Sequence, residues 1–434
     1  MILAALDLAL VVVVVRCGGA LAVRLREPRI AGEMIGAILV GPTVLGGQIE
    51  GVVDGAVAAG AVGALFPATA VDVLTWVGGA GMALYMLLVG LTIDPLAMRR
   101  RLPAVALLVA ATGASMALLA LPAARWLEAD GGWMGADATS LAFLLALGAG
   151  LAAQGVPIVA RILEERGLLA TRLGSVAIAT GAGVTTLALL ASGAAIQVAD
   201  RAALGDLAIV LGAAALVVAV LAPLARSRWM TLPPRVAVAV LIVIALAAAA
   251  GGKLLIGTVL IGPLIVGVAV RNAGFSADFL EARLGALVRG VLLPVFLGVA
   301  ALHVNLRELH ASALPVVLAV IAAVVVVKLA ASYGAARATG FERGDARALG
   351  ALLQCGGVMT IAISLDVLQA QIITTRTHAL LTLVGLVTTL LAGPLLARSG
   401  GGVPQPRTRD ALAASAGQAG SAAAGGDGSR VSRK

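Results

Sequence analysis

The chain has 434 residues, of which 61% are hydrophobic and only 12% are charged. Its mean hydropathy of +1.06 excludes an ordinary soluble globular protein and predicts a chain that crosses a membrane many times. The formal net charge of +9 does not indicate nucleic-acid binding, because the basic residues lie in short loops between apolar runs, without interleaved aromatic residues.

A membrane-spanning helix needs about 20 mostly apolar residues, and this length predicts thirteen spans along the chain. In order, the predicted spans are residues 5–23, 31–47, 72–92, 103–122, 141–163, 171–198, 206–225, 234–251, 254–270, 285–303, 313–336, 346–368 and 378–397. The first apolar run has no basic segment before it, so we interpret it as a retained helix rather than a signal peptide.

The charges in the loops test this count independently. Alternate loops on one side, together with the C-terminal tail, carry 24 of the 31 Lys and Arg residues, whereas the opposite loops carry five. Because basic loops face the cytoplasm, the pattern predicts an N-terminus outside and a C-terminus in the cytoplasm. Residues 399–434, rich in Gly, Ala and Ser, are predicted to form a disordered cytoplasmic tail.

Two predicted spans are interrupted at mid-depth by residues that break helices. The breaks consist of Gln154, Gly155 and Pro157 in the fifth span, and of Gln354, Gly356 and Gly357 in the twelfth. Discontinuous helices at matching places in two halves are typical of transporters with inverted repeats, which bind their substrate at the membrane midplane. Such residues can also merely permit a kink or close helix packing, but as a pair they favour a binding site.

Five motifs follow one another along these spans. They are Gly32 to Gly46, Leu87 to Asp94, Val156 to Glu164, Leu292 to Leu297 and Leu383 to Leu395. In this order they resemble the cation/proton antiporter superfamily, specifically the branch of bacterial sodium/proton and potassium/proton exchangers and plant cation/proton exchangers. The resemblance covers roughly residues 5–397.

The resemblance implies an all-α, sodium/proton antiporter-like fold with inverted repeats and two broken helices that cross. Within a membrane domain of residues 1–398, the panel helices would lie at about 5–92 and 234–303, the core helices at about 103–198 and 313–397, and a linker helix at about 206–225. It also implies a homodimer formed through the panel, with the core moving against the panel during transport.

The sequence departs from this family at the residues that carry charge. The Asp-Asp or Asn-Asp pair of the family's sixth span, which holds the cation or the proton, corresponds here to Thr185 and Thr186. Where many relatives have an arginine and then a glutamate at the second break, this chain has Gly356 and Thr360, while the basic residue of the eleventh span remains as Lys328. The candidate ion- or substrate-binding residues are therefore Gln154, Thr185, Thr186, Gln354, Thr360 and Lys328.

Threonine hydroxyls can coordinate Na+ or K+, but they do not titrate, so they cannot replace the carboxylate that normally exchanges cation for proton. Lys328 is the remaining titratable group at this depth, and a buried lysine without a carboxylate partner could load and unload a proton. Beside the positive N-termini of two half-helices, a charged Lys328 could instead favour an anion, or it could pair with half-helix carbonyls and only hold the helices together.

Three other intramembrane charges have simpler interpretations. Asp366, near the outer end of the twelfth span, is expected at a solvated or gating position. Arg16 is expected to extend toward the cytoplasmic loop, and Glu33 to pack or cap a helix end.

We predict a secondary transporter of a bacterial cytoplasmic membrane that exchanges Na+ or K+ for protons, with the lipid bilayer and a second copy of the chain as its partners. The alternatives are a transporter of the same fold for an anion or small metabolite, and a transport-inactive homologue that acts as a membrane partner or sensor. No nucleotide-binding or nucleophile motif is present, and neither cysteine has a metal-ligand spacing, so we predict no enzyme activity, no cofactor and no bound metal.

Overall fold

The computed structural model describes residues 2–40 without 26, 68–92, 101–199 without 137 and 170, 233–272 without 257, 277–304, 306, 309 and 313–400. The predicted seventh span at 206–225, Asp94, the end of the first motif at 41–46, and residues 401–434 of the predicted tail lie outside these described residues. Within them the chain is almost entirely helical, and its β structure is one isolated bridge between Met134 and Ile373.

The helices in the described part are α1 Ile2–Arg24, α2 Arg29–Val40, α3 Ala68–Thr92, α4 Leu102–Asp130, α5 Ser140–Ala152, α6 Val156–Glu165, α7 Arg172–Ala199, α8 Pro234–Ile256, α9 Ile261–Asn272, α10 at 277–302, α11 Leu314–Ala338, α12 Arg343–Leu352, α13 Gly357–Gln369 and α14 Thr375–Arg398. In α10, two stretches, Glu281–Gly285 and Val288–Leu292, have the wider π-helical winding.

The predicted membrane spans are recovered as helices. By length and composition, eight helical segments in the described ranges can cross a membrane, one of them being α5 and α6 taken together. Helices α12 and α13, bent by 40° at their break, make a ninth crossing. Helices α1, α2 and α9 account for three more predicted spans. With the seventh span outside the described residues, the structure fits the predicted count of thirteen and confirms a multi-pass membrane protein.

The helices pack in two groups. The first group contains α1 to α3 and α8 to α10, and the second contains α4 to α7 and α11 to α14. Most helix packing occurs within each group, whereas contacts between the groups are sparser. They mainly join α10 to α13, α2 to α13 and α14, and α7 to α8 and α9. The broken helices α5–α6 and α12–α13 both belong to the second group.

The two ends of the helix bundle differ. At one end, called the arginine-rich end, a cavity of about 940 Å³ opens between the two groups. Its charged lining residues are Arg16, Glu27, Arg29, Glu33, Arg161, Arg166 and Arg289. At the opposite end, the linker after α4 pairs with the linker before α14, where the Gly135 N–H donates to the Ile372 carbonyl at 2.9 Å. The second group is therefore joined by backbone hydrogen bonding at the end opposite the cavity.

Candidate functional site

The first break separates α5 from α6. Helix α5 ends at Ala152, and Pro157 lies in the first turn of α6, where its missing N–H costs no helical hydrogen bond. Gly155 lies between the two helices, and its N–H donates to the carbonyl of Cys355 in the second break at 2.7 Å. Cys355 is fully buried, including its free thiol. The two breaks therefore meet inside the protein, as the sequence predicts.

The second break separates α12 from α13. Helix α12 ends at Leu352, and α13 begins at Gly357, whose φ of +52° lies in the left-handed region that favours glycine. A side chain at this position would also collide with Ile158 of α6. Glycine is thus favoured here by its backbone conformation, and any side chain at this position would have to displace the tip of the Ile158 side chain.

Lys328 on α11 caps the end of α5. Its side chain is 1% exposed, and its Nζ donates to the carbonyl oxygens of Leu151 and Ala153, each at 3.3 Å. The C-terminal end of a helix carries partial negative charge from its unpaired carbonyls, which a lysine ammonium stabilises. The geometry agrees with the interpretation that Lys328 holds the broken helix together, and it places the lysine at the candidate site.

Thr185 on α7 contacts the same break. Its hydroxyl donates to the Gln154 carbonyl at 2.8 Å, and the residue is buried. The neighbouring Thr186 is only partly buried, and its hydroxyl donates to the Ala182 carbonyl of its own helix at 2.9 Å. Of the predicted threonine pair, Thr185 therefore makes the hydrogen bond to the break.

The Gln154 side chain stands out because it is 0% exposed and both its Oε1 and its Nε2 lack a hydrogen-bond partner. Leaving a buried polar group unpaired costs about 1–3 kcal/mol, so such groups are usually paired with a ligand, an ion or water. An ideal Cβ placed on Gly181 of α7 would lie 3.3 Å from Oε1, so the amide faces that helix at a place without a side chain. The amide is thus available to a ligand at the break.

Sequence reasoning missed Gly181, which lies beside Gln154, and its chain neighbour Thr180. Gly181 lies four positions before Thr185, and residues four apart share one helix face, so this periodicity could have identified it. Thr180, next to Gly181, is fully buried and its hydroxyl also lacks a partner. Nothing in the sequence distinguishes this hydroxyl from those of the other threonines in the same helix.

The two remaining candidates belong to the second break. The Gln354 Nε2 donates to the Val325 carbonyl of α11 at 3.1 Å, while its Oε1 has no partner. Thr360 is buried in the first turn of α13, close to Gly385 of α14. Helix α11 consequently contacts both breaks, one through Lys328 and the other through Val325.

The electrostatics of this site are unusual for cation binding. None of the six candidate residues is acidic, and Lys328 is the one that can carry charge. The N-termini of α6 and α13 add partial positive charge at the crossing, whereas the C-termini of α5 and α12 add partial negative charge. The oxygens at the crossing that lack a partner are therefore neutral, namely Gln154 Oε1 and Gln354 Oε1.

The three other intramembrane charges have definite partners. Glu33 is buried and pairs with Arg29 at 3.0 Å and with Arg16 at 3.6 Å, so Arg16 reaches a carboxylate at the arginine-rich end. Asp366 is 6% exposed and accepts a hydrogen bond from the Thr258 hydroxyl. The expectation of a solvated Asp366 is wrong, because the linker between α8 and α9 covers it.

Comparison with known proteins gives a consistent result. A family model described as "Sodium/hydrogen exchanger, transmembrane" matches residues 9–398. The chain is 26% identical over 411 residues to cation/H(+) antiporter 18 of Arabidopsis thaliana, covering 91% of this chain and 48% of that protein. It is 25% identical over 393 residues to the Na(+)/H(+) antiporter NhaS4 of Synechocystis sp., covering 88% and 93%. The K(+)/H(+) antiporter 1 of Saccharomyces cerevisiae is 24% identical over 392 residues, covering 86% and 43%.

The chain spans about half the length of the Arabidopsis relative, but nearly the whole of the Synechocystis one. Among solved structures, the sodium proton antiporter MjNhaP1 from Methanocaldococcus jannaschii matches with a TM-score of 0.64 and 15% identity, covering 92% of this chain and 99% of that one. This match confirms the predicted sodium/proton antiporter-like fold. The relatives named here are transporters rather than enzymes.

Proposed function

We propose that this chain, which belongs to the sodium/hydrogen exchanger family, is a secondary transporter that exchanges Na+ or K+ for protons across a bacterial cytoplasmic membrane. The observation that carries this proposal is the unpartnered amide of Gln154 at the crossing of two broken helices. Buried oxygens at such a crossing suit a small dehydrated cation, and half-helix ends at mid-membrane are the usual site in secondary transporters.

The two helix groups supply the proposed machinery. The first group is the dimerisation panel, and the second group is the core that carries the substrate site and moves against the panel. The arginine-rich end faces the cytoplasm, because basic loops remain on that side during insertion. The cavity between the groups is then the cytoplasmic entrance, and the structure corresponds to an inward-open state. The functional unit is a homodimer.

A second candidate is a transporter of an anion or a small anionic metabolite. It is favoured by the cavity, whose lining has five arginines and two glutamates, and by the absence of an acidic residue among the six site residues. A positive entrance lowers the local concentration of cations and raises that of anions. The two candidates therefore make opposite predictions about the charge of the transported solute.

The test is proton flux in proteoliposomes made with purified protein. A pH gradient is imposed, Na+, K+ or Li+ is added in turn, and internal pH is followed with a fluorescent indicator. We expect a cation-evoked change in internal pH that needs about tenfold more cation in Gln154→Leu. Glu342→Gln, which changes an exposed carboxylate at the start of α12, is expected to match the parent protein.

Absence of a response to all three cations, in protein shown to be folded, would contradict cation exchange. Uptake of a radiolabelled inorganic or carboxylate anion in the same vesicles would then establish the second candidate. If neither solute moves, the third interpretation, a transport-inactive membrane partner, is the one that remains.

A further inference from the structure

Asp366 is a buried carboxylate that the candidate site does not use. It lies nine residues beyond Gly357 on α13, which at 1.5 Å per residue is about 14 Å from the break, toward the end opposite the cavity. It is 6% exposed. This depth corresponds to the outer edge of the hydrocarbon core, where an ionised carboxylate without a charged partner is costly.

The partner of Asp366 belongs to the other helix group. Thr258 lies in the linker between α8 and α9, is fully buried, and donates its hydroxyl to Asp366 Oδ2. The Thr258 Oγ1 in turn accepts from the Leu260 N–H at 3.2 Å, which leaves the hydroxyl hydrogen for Asp366. This hydrogen bond therefore joins core to panel at the end opposite the cavity, and it must break when the two groups move apart.

Among the residues that the structure describes, the charged groups around Asp366 are few. Lys253, exposed in the last turn of α8, interacts electrostatically with the carboxylate from the panel side. On α14, His378 directs its ring nitrogens to Ser364 Oγ at 2.9 Å and to the Ala300 carbonyl at 3.2 Å. Helix α5 has no charged residue.

The remaining neighbours of α13 also direct their charges elsewhere. At the end of α10, the His303 Nδ1 contacts the Val299 carbonyl at 3.0 Å. At the start of α14, Arg376 lies over the Trp133 ring and 3.6 Å from Asp130. The charged residues of α2 and α7 lie at the arginine-rich end. Within the described part of the chain, the carboxyl group is thus held in an apolar setting by one neutral donor and one exposed cation.

We propose that Asp366 is a proton-binding site of the transport cycle, occupied while α13 is closed against Thr258 and released to the outer solution when the core leaves the panel. This inference rests on the proposed function, because it supplies a titratable carboxyl that Thr185 and Thr186 lack. A protonated carboxyl is neutral and suits the buried state, whereas the ionised form needs water. Acidic outer solution therefore favours the closed state, and alkaline outer solution favours opening.

The first measurement does not need transport. Infrared difference spectra of the reconstituted protein, recorded across a pH titration, report protonated carboxyl groups directly. We expect a titrating carboxyl signal that disappears in Asp366→Asn, persists in Glu342→Gln, and titrates at a different pH in Thr258→Val because the donor is lost. Identical spectra for the parent protein and Asp366→Asn would overturn the proposal. If Asp366→Asn does not fold, an unshifted titration in Thr258→Val overturns it instead.

The second measurement is flux with the outer pH varied and the inner pH fixed. A single titrating group changes the rate by up to about tenfold per pH unit, and we expect this dependence to be lost in Asp366→Asn. Retention of the same outer-pH dependence in that variant would also overturn the proposal. If the parent protein moves no cation, the proposed cation/proton exchange is wrong. The infrared titration still decides separately whether Asp366 binds a proton in the closed state.

Discussion

The two helix breaks share a sequence pattern, a glutamine followed by helix-breaking residues, but they use it differently. At the first break, Lys328 and Thr185 bind the backbone carbonyls, so the Gln154 side chain is left without a partner. At the second break, the Gln354 side chain itself binds the backbone of α11. At the first break the whole side-chain amide is unpaired, whereas at the second only the Oε1 is unpaired and the Nε2 anchors the crossing.

The largest effect in this comparison is expected for Lys328→Ala, which removes the cap of the first break. Two buried carbonyls lose their donor, each at a cost of about 1–3 kcal/mol, and we expect loss of cation-evoked proton flux together with a lower unfolding temperature. Lys328→Arg is the matched control, because arginine keeps the positive donors but does not release a proton at accessible pH. Flux and thermal unfolding are measured on both variants.

The Lys328→Arg control distinguishes a structural role of the lysine, as a helix cap, from a role as proton carrier. Recovery of stability without flux in Lys328→Arg would indicate that the lysine carries a proton. Recovery of both properties would leave it a structural cap and would contradict proton carriage.

A smaller effect is expected when each glutamine is replaced in turn. Gln154→Leu removes an unpaired buried amide, so we expect unchanged or higher stability and a cation half-saturation concentration raised by about tenfold, equivalent to about 1.4 kcal/mol. Gln354→Leu removes a formed hydrogen bond and a single unpaired oxygen, so we expect about 1 kcal/mol of lost stability and a smaller rise in half-saturation than in Gln154→Leu. Thermal unfolding and the cation dependence of flux measure these effects, and the reverse result would contradict the division of roles between the breaks.

The smallest effect concerns the threonine pair. Thr185→Val removes the hydrogen bond to the Gln154 carbonyl and is expected to cost about 1 kcal/mol of stability. Thr186→Val should be nearly neutral, because its hydroxyl binds a carbonyl of its own helix. Equal losses in the two variants, measured by chemical or thermal unfolding in detergent, would show that Thr186 contributes to the site as much as Thr185.

The fold was largely predictable because the membrane limits the possibilities. Apolar runs of spanning length identified the helices, and Gly155, Pro157 and Gly357 marked the breaks, since such residues interrupt helices locally. That the breaks meet followed from their matching positions in the two halves.

The details of the site were less predictable, for geometric reasons. Thr185 and Thr186 are adjacent in sequence but about 100° apart around the helix, so only packing decides which one reaches the break. The unpaired amide of Gln154 depends on a side-chain conformation that no sequence pattern specifies. The burial of Asp366 depends on Thr258, 108 residues away, and local hydropathy contains no information about that contact.

The hydrogen bond between the Gly155 N–H and the Cys355 carbonyl places a native cysteine at the contact between the two breaks, where its thiol can report on opening of the crossing. Of the two thiols, Cys17 is exposed and Cys355 is completely enclosed at the crossing. In a Cys17→Ser background, a maleimide can react only where the crossing has opened enough to admit it. The rate at which maleimide labels Cys355 therefore measures how often the two broken helices separate.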